Sequence, residues 1–336
     1  MSQTTTPGNG NVMQSALKLF YAPIQEELER AEQTLVAELH NESPFVNELL
    51  EYGGQLGGKR LRPALLLLTA KALGNVNEAH YTLAAVVEMI HTATLVHDDV
   101  LDEASMRRHL ATVNARWNNE TSVLLGDYLF THAFYLASTL ETTFGCRRIG
   151  QSTNIVCEGE LRQIGSRGNH GLSEAEYFRI IDGKTAELCA CACHLGAHYS
   201  NATAEDVASM ERYGRKLGMA FQIADDLLDL LGDESQTGKS LGTDLEKQKP
   251  TLPIIHTYQS LAGDDRQSFV NLLESDSADR HEGILEWVNR CEGIEYARKT
   301  AIDFTEQARQ ELRSLKPSPS RDVLSEITEF VVARSL

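Results

Sequence analysis

The helical spacing of apolar residues constrains this chain more than any other feature of its sequence. Neither glycine nor proline occurs between Gly74 and Gly126. Within that stretch a stripe of mostly apolar residues recurs every three or four positions from Leu83 to Thr94, the pattern of one face of a long helix. The whole chain contains only eight prolines, and alternating β-branched residues are nearly absent. The sequence therefore predicts an all-α fold.

The same pattern indicates how the chain is organised. Thr203 with Asp206 three residues later is typical of a helix N-cap, and the following helix is predicted to end near Leu231. The breaks between helices are too short and too apolar for interdomain linkers, and no repeat of fixed period is present. We expect residues 1–11 to form a disordered tail. Residues 12–336 are predicted to form one domain, a single bundle of ten or more helices around a central active-site cavity.

Composition excludes several classes of function. The formal net charge of −17 over 336 residues argues against nucleic acid or anionic lipid as a partner. The chain has no apolar run long enough for a transmembrane segment, and its first residues do not resemble a signal peptide. Six cysteines do not suggest a disulfide framework, so the expected location is cytoplasmic. An anionic substrate would require a local excess of positive charge in such an acidic protein.

Two acidic segments share one spacing. The first runs from Asp98 to Asp102 as DDVLD, and the second runs from Asp225 to Asp229 as DDLLD. Side chains four residues apart share a helix face, so each segment directs two carboxylates the same way. One such segment also fits a solvated helix end, but carboxylates on two largely apolar helices are expensive to bury without a cation. Carboxylate oxygens without cysteine suit Mg²⁺, which typically binds one or two carboxylates together with substrate phosphates.

Basic residues accompany these carboxylates. The segment GGKRLRP at 57–63 places cations after a glycine pair, where side chains and helix N-terminal amides form an anion pocket. Two further basic sets follow the acidic segments, namely Arg107 with Arg108, and Lys239 with Lys247 and Lys249. Metal ions on aspartates, flanked by arginine and lysine, would make a cationic site inside an acidic protein.

Five segments together resemble the trans-isoprenyl diphosphate synthase family, most closely its long-chain polyprenyl branch. They are GGKRLRP (57–63), HDDVLDEASMRR (97–108), GKT (183–185), FQIADDLLD (221–229) and GKSLGTDLEKQKPTLP (238–253). The resemblance runs in the order of the family from about residue 45 to 256. It implies the isoprenoid synthase fold and a homodimer. The loop that begins at Lys239 is one residue longer than in short-chain enzymes, and for this reason we prefer Lys249 to Lys247 as a ligand.

The resemblance also implies a role for each matched residue. The isopentenyl diphosphate ligands would be Lys59, Arg62, His91 and Arg108. The allylic diphosphate would be held by Arg107, Lys184, Lys239 and Lys249, with Thr185 and Gln222 near the reacting carbon. Three Mg²⁺ ions would be bound chiefly by Asp98, Asp102 and Asp225, assisted by Asp99, Asp226 and Asp229. Catalysis would depend on Asp98, Asp102, Arg107, Lys184, Asp225 and Lys239.

The implied reaction is Mg²⁺-dependent head-to-tail condensation of isopentenyl diphosphate with an allylic diphosphate. The product would be an all-trans polyprenyl diphosphate, with a membrane as its expected destination. Three alternatives stay open: a medium-chain synthase, a class I terpene cyclase, and a non-catalytic subunit of a heteromeric synthase. A cyclase has only one diphosphate to bind and no use for GGKRLRP, while non-catalytic subunits usually have degraded acidic segments.

Product length is expected to depend on the helix that carries Asp98. Ala93 and Thr94 lie about one turn before the acidic segment, where short-chain enzymes of the family commonly have an aromatic residue. Their small size predicts an open tunnel and a long-chain product. The bulky candidates for the floor of the tunnel are Met89 and Ile90 on this helix and Phe134 and Tyr135 on the next, although all four also fit ordinary core positions.

Overall fold

The computed structural model describes residues 20–231, 242–277 and 279–333. The predicted tail at 1–11 and the predicted ligand Lys239 lie outside the described residues. The first half of the chain forms α1–α7, which are Gln25–Glu38, Pro44–Leu56, Leu61–Leu73, Glu78–Leu101, Val113–Arg116, Asn119–Ser138 and Phe144–Ser166. The second half forms α8–α16, which are Glu174–Ile181, Glu187–His198, Ala204–Leu231, Thr243–Glu246, Leu252–Ser260, Gly263–Leu273, Arg280–Arg290, Gly293–Glu311 and Pro319–Ala333.

Four shorter elements complete the architecture of the described residues. Single 3₁₀ turns at Ala22–Ile24 and Leu312–Ser314 adjoin α1 and α15. A π-helical turn at Asp182–Ala186 joins α8 to α9. An antiparallel two-stranded hairpin, β1 (Met106–Arg107) and β2 (Leu110–Ala111), follows α4. The described residues thus confirm the prediction of an all-α bundle with ten or more helices.

The two helices that carry the acidic segments are the long α4 and α10. The Asn77 side chain accepts a hydrogen bond from the Ala79 amide at the start of α4. The Thr203 hydroxyl accepts from the Asp206 amide at 3.2 Å before α10, as the sequence predicts. The first segment spans the C-terminus of α4, which ends at Leu101, and the second lies close to Leu231, where the described part of α10 stops.

The main core surrounds α3 and α9, which are apolar on nearly every side. Leu65 to Leu68 on α3 are fully buried, as are Cys191 and Cys193 on α9. Burial on all sides explains why α3 lacks a polar stripe, because a helix that is apolar all round belongs in the interior. Helices α4, α6 and α10 pack around this core. No helix in the described ranges combines the length and the hydropathy needed to cross a bilayer.

Candidate active site

The first acidic segment faces a group of cations from distant parts of the chain. The Asp102 carboxylate lies 3.1 Å from Lys249 Nζ, 3.2 Å from Arg167 Nη2 and 3.4 Å from Lys247 Nζ. Burial alone would raise the pKa of Asp102, but Lys249 and Lys247 outweigh it and hold that pKa below its usual value. Both lysines considered at the sequence level therefore contact the same carboxylate, with Lys249 the closer.

Lys184 connects the first acidic segment to α7. It lies within the π-helical turn at Asp182–Ala186, an element that is rare and frequently marks functional sites. Its Nζ donates to Glu160 Oε1 at 2.7 Å and to Gln163 Oε1 at 2.9 Å, and it lies 3.6 Å from Asp98 Oδ2. The turn thus places an ammonium group beside one of the predicted metal ligands.

The second acidic segment contains a carboxylate that is enclosed by protein donors. Asp226 is buried, and its two oxygens accept from the Tyr177 hydroxyl at 2.6 Å and from Gln222 Nε2 at 2.7 Å. Gln222 Oε1 in turn accepts from the Thr185 hydroxyl at 2.6 Å. Gln222 and Thr185, predicted to lie near the reacting carbon, are therefore in direct contact and share one chain of hydrogen bonds.

Asp229 orders the backbone that follows the second segment. Its carboxylate accepts from the Thr243 hydroxyl at 2.8 Å and from the Asp244 amide at 3.0 Å. These bonds bring the Asp244 carboxylate into the site, where its pKa rises to about 6 through burial and the negative charge of Asp229 and Asp225. Lys249 lies 3.7 Å from Asp244 and opposes this rise.

Asp99 makes a different contact from its neighbours in the first segment. Its side chain is only 1% exposed and accepts from Arg107 Nη2 at 2.7 Å and Nε at 2.9 Å. Arg107 reaches it from the hairpin, whose turn residues Arg108 and His109 adopt positive φ values of 51° and 65°. The hairpin therefore folds Arg107 back onto the helix, so that the two predicted site residues are paired with each other.

A second cationic group lies at the start of α3. Arg62 and Arg108 lie near His91 in the middle of α4, and burial together with these two arginines lowers the pKa of His91 well below its usual value. The guanidinium of Arg108 donates to the Leu56 carbonyl at 2.9 Å and occupies the space that a side chain at Gly58 would need. Arg62 Nε is a buried donor with no hydrogen-bond partner among the described residues. An anion at this position would satisfy it.

The middle cation of the segment GGKRLRP, Arg60, is not available to a ligand. Arg60 donates from Nη2 to Glu32 at 2.8 Å and from Nη1 to Glu88 at 2.7 Å. The interpretation of all three cations in GGKRLRP as one anion pocket is therefore wrong for Arg60, which two carboxylates already neutralise. The neighbouring Lys59 is anchored through its backbone, because the Tyr21 hydroxyl donates to its carbonyl oxygen at 2.7 Å.

Three side chains in the site had no assigned role at the sequence level. The sequence predicts no role for Glu160 or Gln163, and only the structure reveals their contacts with Lys184. Asp244 lies inside the segment GTDLEKQKP, which was matched as a whole without a role for its aspartate. The sequence signal that could have identified Asp244 is its position two residues after Gly242, in the segment that follows the second acidic segment.

Comparison with known proteins agrees with this geometry. The profile of the family described as polyprenyl synthetase matches residues 43–288. The chain belongs to the polyprenyl synthetase family. Octaprenyl diphosphate synthase from Escherichia coli strain K12 is 37% identical over 302 residues, which are 89% of this chain and 93% of that protein.

Solved structures of other members of the polyprenyl synthetase family have the same fold. A decaprenyl diphosphate synthase from Rhodobacter capsulatus superimposes with a TM-score of 0.90 at 33% identity, covering 95% of this chain and 99% of that one. A polyprenyl synthase from Caulobacter crescentus, complexed with calcium and isoprenyl diphosphate, gives 0.89 at 29% identity and covers 95% and 98%. The predicted isoprenoid synthase fold and trans-prenyltransferase activity are confirmed, and membership implies the use of a divalent metal.

The donor set of this polyprenyl synthetase fits a hard divalent cation. The candidate ligand oxygens are carboxylates, chiefly of Asp98, Asp102, Asp225 and Asp244. Within the described ranges no three histidine, cysteine or acidic side chains converge closely enough to enclose a metal by themselves. That arrangement suits Mg²⁺, which usually takes one or two carboxylates and completes its shell with water and substrate phosphate. Burial and the charges of Asp229 and Asp225 raise the pKa of Asp244, and a bound cation would favour its ionised form.

The contacts of two predicted auxiliary ligands favour a different role. Asp99 is paired with Arg107, and both oxygens of Asp226 are bonded to Tyr177 and Gln222. These carboxylates support neighbouring side chains in this structure, and their assistance in holding metal stays a prediction.

The candidate chain-length residues divide into two groups. Three of them are fully buried on α4, namely Met89, Ile90 and Ala93. Thr94 is half-buried, and its hydroxyl donates to the His91 carbonyl at 2.7 Å. On α6, Phe134 packs against the main core, whereas Tyr135 is 63% exposed. Tyr135 is therefore the one candidate of the six that lies at the surface of this chain, and its place in a tunnel floor stays a prediction.

Proposed function

We propose that this polyprenyl synthetase condenses isopentenyl diphosphate with an allylic diphosphate, head to tail, to make a long-chain all-trans polyprenyl diphosphate. The observation that carries the proposal is the presence of two cationic groups beside the two acidic segments. Arg62 and Arg108 form one group, and Lys184 and Lys249 belong to the other. Two groups supply two diphosphate sites, which a synthase needs and a terpene cyclase does not.

The two groups have different tasks in the proposed reaction. The isopentenyl diphosphate keeps its phosphate throughout, so Lys59, Arg62, His91 and Arg108 only bind and orient it. The allylic C–O bond breaks, and its diphosphate gains negative charge as it leaves. Arg107, Lys184, Lys239 and Lys249 stabilise that charge, and preorganised cations aimed at developing charge are usually the largest single catalytic contribution.

Mg²⁺ held by Asp98, Asp102 and Asp225 would add further electrophilic stabilisation of the leaving diphosphate when bound. We infer three such ions, as the family resemblance suggests. The Thr185–Gln222 pair would line the part of the site that holds the allylic carbon. The isopentenyl double bond forms the new C–C bond, and the departing diphosphate accepts the proton that is lost. Packing of the surrounding helices keeps water from the cationic carbon.

The long-chain product is supported by relatives and by the residues around Ala93. Relatives named as nonaprenyl synthases, from Rhodobacter capsulatus and Mycobacterium tuberculosis, are 35% and 33% identical. A short-chain synthase from Methanothermobacter thermautotrophicus is also 33% identical, so identity alone does not decide product length. The small side chains of Ala93 and Thr94 favour the longer product. We further propose a homodimer in the cytoplasm that delivers its product to a membrane.

Incubation with isopentenyl and farnesyl diphosphates and Mg²⁺ tests this function. We expect mass analysis of the dephosphorylated products to show a long-chain polyprenol, and removal of the metal with EDTA to abolish it. Asp98→Ala and Asp225→Ala should each reduce turnover by about two orders of magnitude or more while the protein stays folded. Formation of a cyclic hydrocarbon, or full turnover in folded Asp98→Ala protein, would refute the proposal.

A further inference from the structure

An ionic network that is buried at Arg148 and Glu187 contacts the π-helical turn. Arg215 on α10 donates from Nη1 to Asp182 Oδ1 at 2.7 Å and from Nη2 to Glu187 Oε2 at 2.6 Å. These two acidic residues are also joined by the backbone, because the Glu187 amide donates to the Asp182 carbonyl. The Arg215 guanidinium therefore bridges Asp182 and Glu187, the same two residues that the π-helical backbone hydrogen bond joins.

The network is anchored in the interior at Glu187. Its side chain is 1% exposed, and its other oxygen accepts from Arg148 Nη1 and from the Ser152 hydroxyl, both at 2.7 Å. Arg148 on α7 also donates to Glu211 on α10 at 2.9 Å. The carboxylate at the end of the turn is thus held from two helices, and such a fully bonded buried group leaves little freedom for displacement.

Close backbone packing holds the turn on both faces. A Cβ at Gly218 on α10 would lie 2.5 Å from Ala186 Cα, and a Cβ at Gly159 on α7 would lie 2.4 Å from the Lys184 amide nitrogen. The turn is therefore confined between α7 and α10. Within this confinement the side chain of Arg215 joins the two ends of the turn, at Asp182 and Glu187.

The turn between Asp182 and Glu187 contains Lys184 and Thr185, the two residues that the proposed function assigns to the allylic substrate. Lys184 lies 3.6 Å from Asp98, and Thr185 donates to Gln222. We propose that Arg215 is a positioning residue for catalysis, which holds the π-helical turn so that Lys184 and Thr185 meet the allylic diphosphate. This inference rests on the proposed function, since it assigns Arg215 to the same reaction without contact to either substrate.

Steady-state kinetics of Arg215 variants test the proposal. We expect Arg215→Met to lower kcat about tenfold or more, because small displacements of catalytic groups are costly, while KM for isopentenyl diphosphate changes less than about twofold. Arg215→Lys keeps the charge and one of the two bonds, so it should recover part of kcat. The matched control is Arg212→Met on the same helix, since Arg212 is 51% exposed and pairs with Glu311 at 2.7 Å, away from the turn. This control should keep wild-type kinetics.

A double-mutant cycle with Lys184→Ala separates positioning from general damage to the fold. If Arg215 acts through the turn, the Arg215→Met/Lys184→Ala variant should lose little more activity than Lys184→Ala alone. The proposal would be overturned if the activity losses of the two single variants multiplied in the double variant, or if Arg215→Met kept wild-type kcat. Full turnover in Lys184→Ala would instead refute the proposed role of Lys184. Thermal melting checks that each variant is folded, and if Arg215→Met does not fold, Asp182→Asn takes its place in the cycle with the same expected outcomes.

Discussion

Each acidic segment contains a buried carboxylate that is bonded to other side chains. Asp99 is paired with Arg107, and Asp226 accepts from Tyr177 and Gln222, while the other aspartates of both segments are half-buried. Spacing predicts which aspartates share a helix face, and on that basis Asp98 and Asp102 were correctly placed together. It does not reveal partners from other elements, because a hairpin and a distant tyrosine reach these carboxylates only in the folded chain.

Kinetics at single residues should distinguish the two diphosphate sites. We expect Arg62→Ala to raise KM for isopentenyl diphosphate at least about tenfold, since a charged hydrogen bond is worth about 1.5–3 kcal/mol and its phosphate does not leave. Lys184→Ala should instead lower kcat about a hundredfold or more, because its phosphate gains charge in the transition state. Lys299→Ala, at an exposed position on α15, is the control and should change neither constant. The same kinetic signature for Arg62→Ala and Lys184→Ala would contradict the assignment.

The buried carboxylate of Glu187 should make stability depend on pH. Burial alone would raise its pKa, but Arg148 and Ser152 outweigh burial and lower that pKa from 4.5. A lowered pKa means that the stabilisation is present above the unfolded value and is lost as the pH falls through the folded value. Glu187→Gln should therefore lower the melting temperature at pH 7, and the difference from wild type should narrow below about pH 4.5.

The comparison requires melting curves of both proteins from pH 7 to the acid limit of folding. Glu306→Gln, at an exposed position on α15, serves as the control and should follow the wild-type curve. A gap between wild type and Glu187→Gln that stays constant with pH would show that the carboxylate is not the stabilising group.

At the scale of elements, periodicity predicted the long helices better than it predicted the short ones. The start of α10 after Thr203 agrees with the sequence, because a cap marks it, and the described part of the helix reaches Leu231. The π-helical turn was not predicted, since its extra residue leaves the apolar pattern of α8 and α9 intact. The hairpin was also missed, because Arg108 and His109 form its turn in place of the usual glycine or asparagine.

A matched pair of glycines on α7 tests the packing of the π-helical turn. A Cβ at Gly159 would collide with the Lys184 amide nitrogen, whereas a Cβ at Gly165 meets nothing within 4 Å. Gly159→Ala should therefore destabilise the protein by about 1–3 kcal/mol and lower kcat. Gly165→Ala should be neutral or stabilise by up to about 1 kcal/mol, because alanine has the higher helix propensity. Chemical denaturation and steady-state assays measure both effects, and equal behaviour of the two variants would contradict close packing at Gly159.

At the scale of the whole molecule, a chain of net charge −17 builds its cationic groups from separate elements. Lys184 comes from the π-helical turn, Arg167 from the end of α7, and Lys247 and Lys249 from the segment after α11. The local attraction for diphosphate therefore exists only in the folded chain. Sequence motifs identified most of these residues, but their convergence on Asp98 and Asp102 required the tertiary fold.

Product length is the property that depends on the interior of the whole bundle. Ala93 is fully buried on α4, about one turn before Asp98, where a phenyl ring would project further into the bundle than the alanine methyl group does. The wild-type enzyme should make products of roughly C30 to C50, lengths that the resemblance to the long-chain branch of the family implies, and one helical turn of about 5.4 Å is close to one isoprene unit. Ala93→Phe should shorten the product while catalysis continues, although overpacking should also cost about 1–3 kcal/mol of stability. Ala93→Ser, which scarcely changes the volume, is the control and should give the wild-type product. Mass analysis of the dephosphorylated products decides the outcome, and an unchanged chain length in folded, active Ala93→Phe protein would place the tunnel elsewhere.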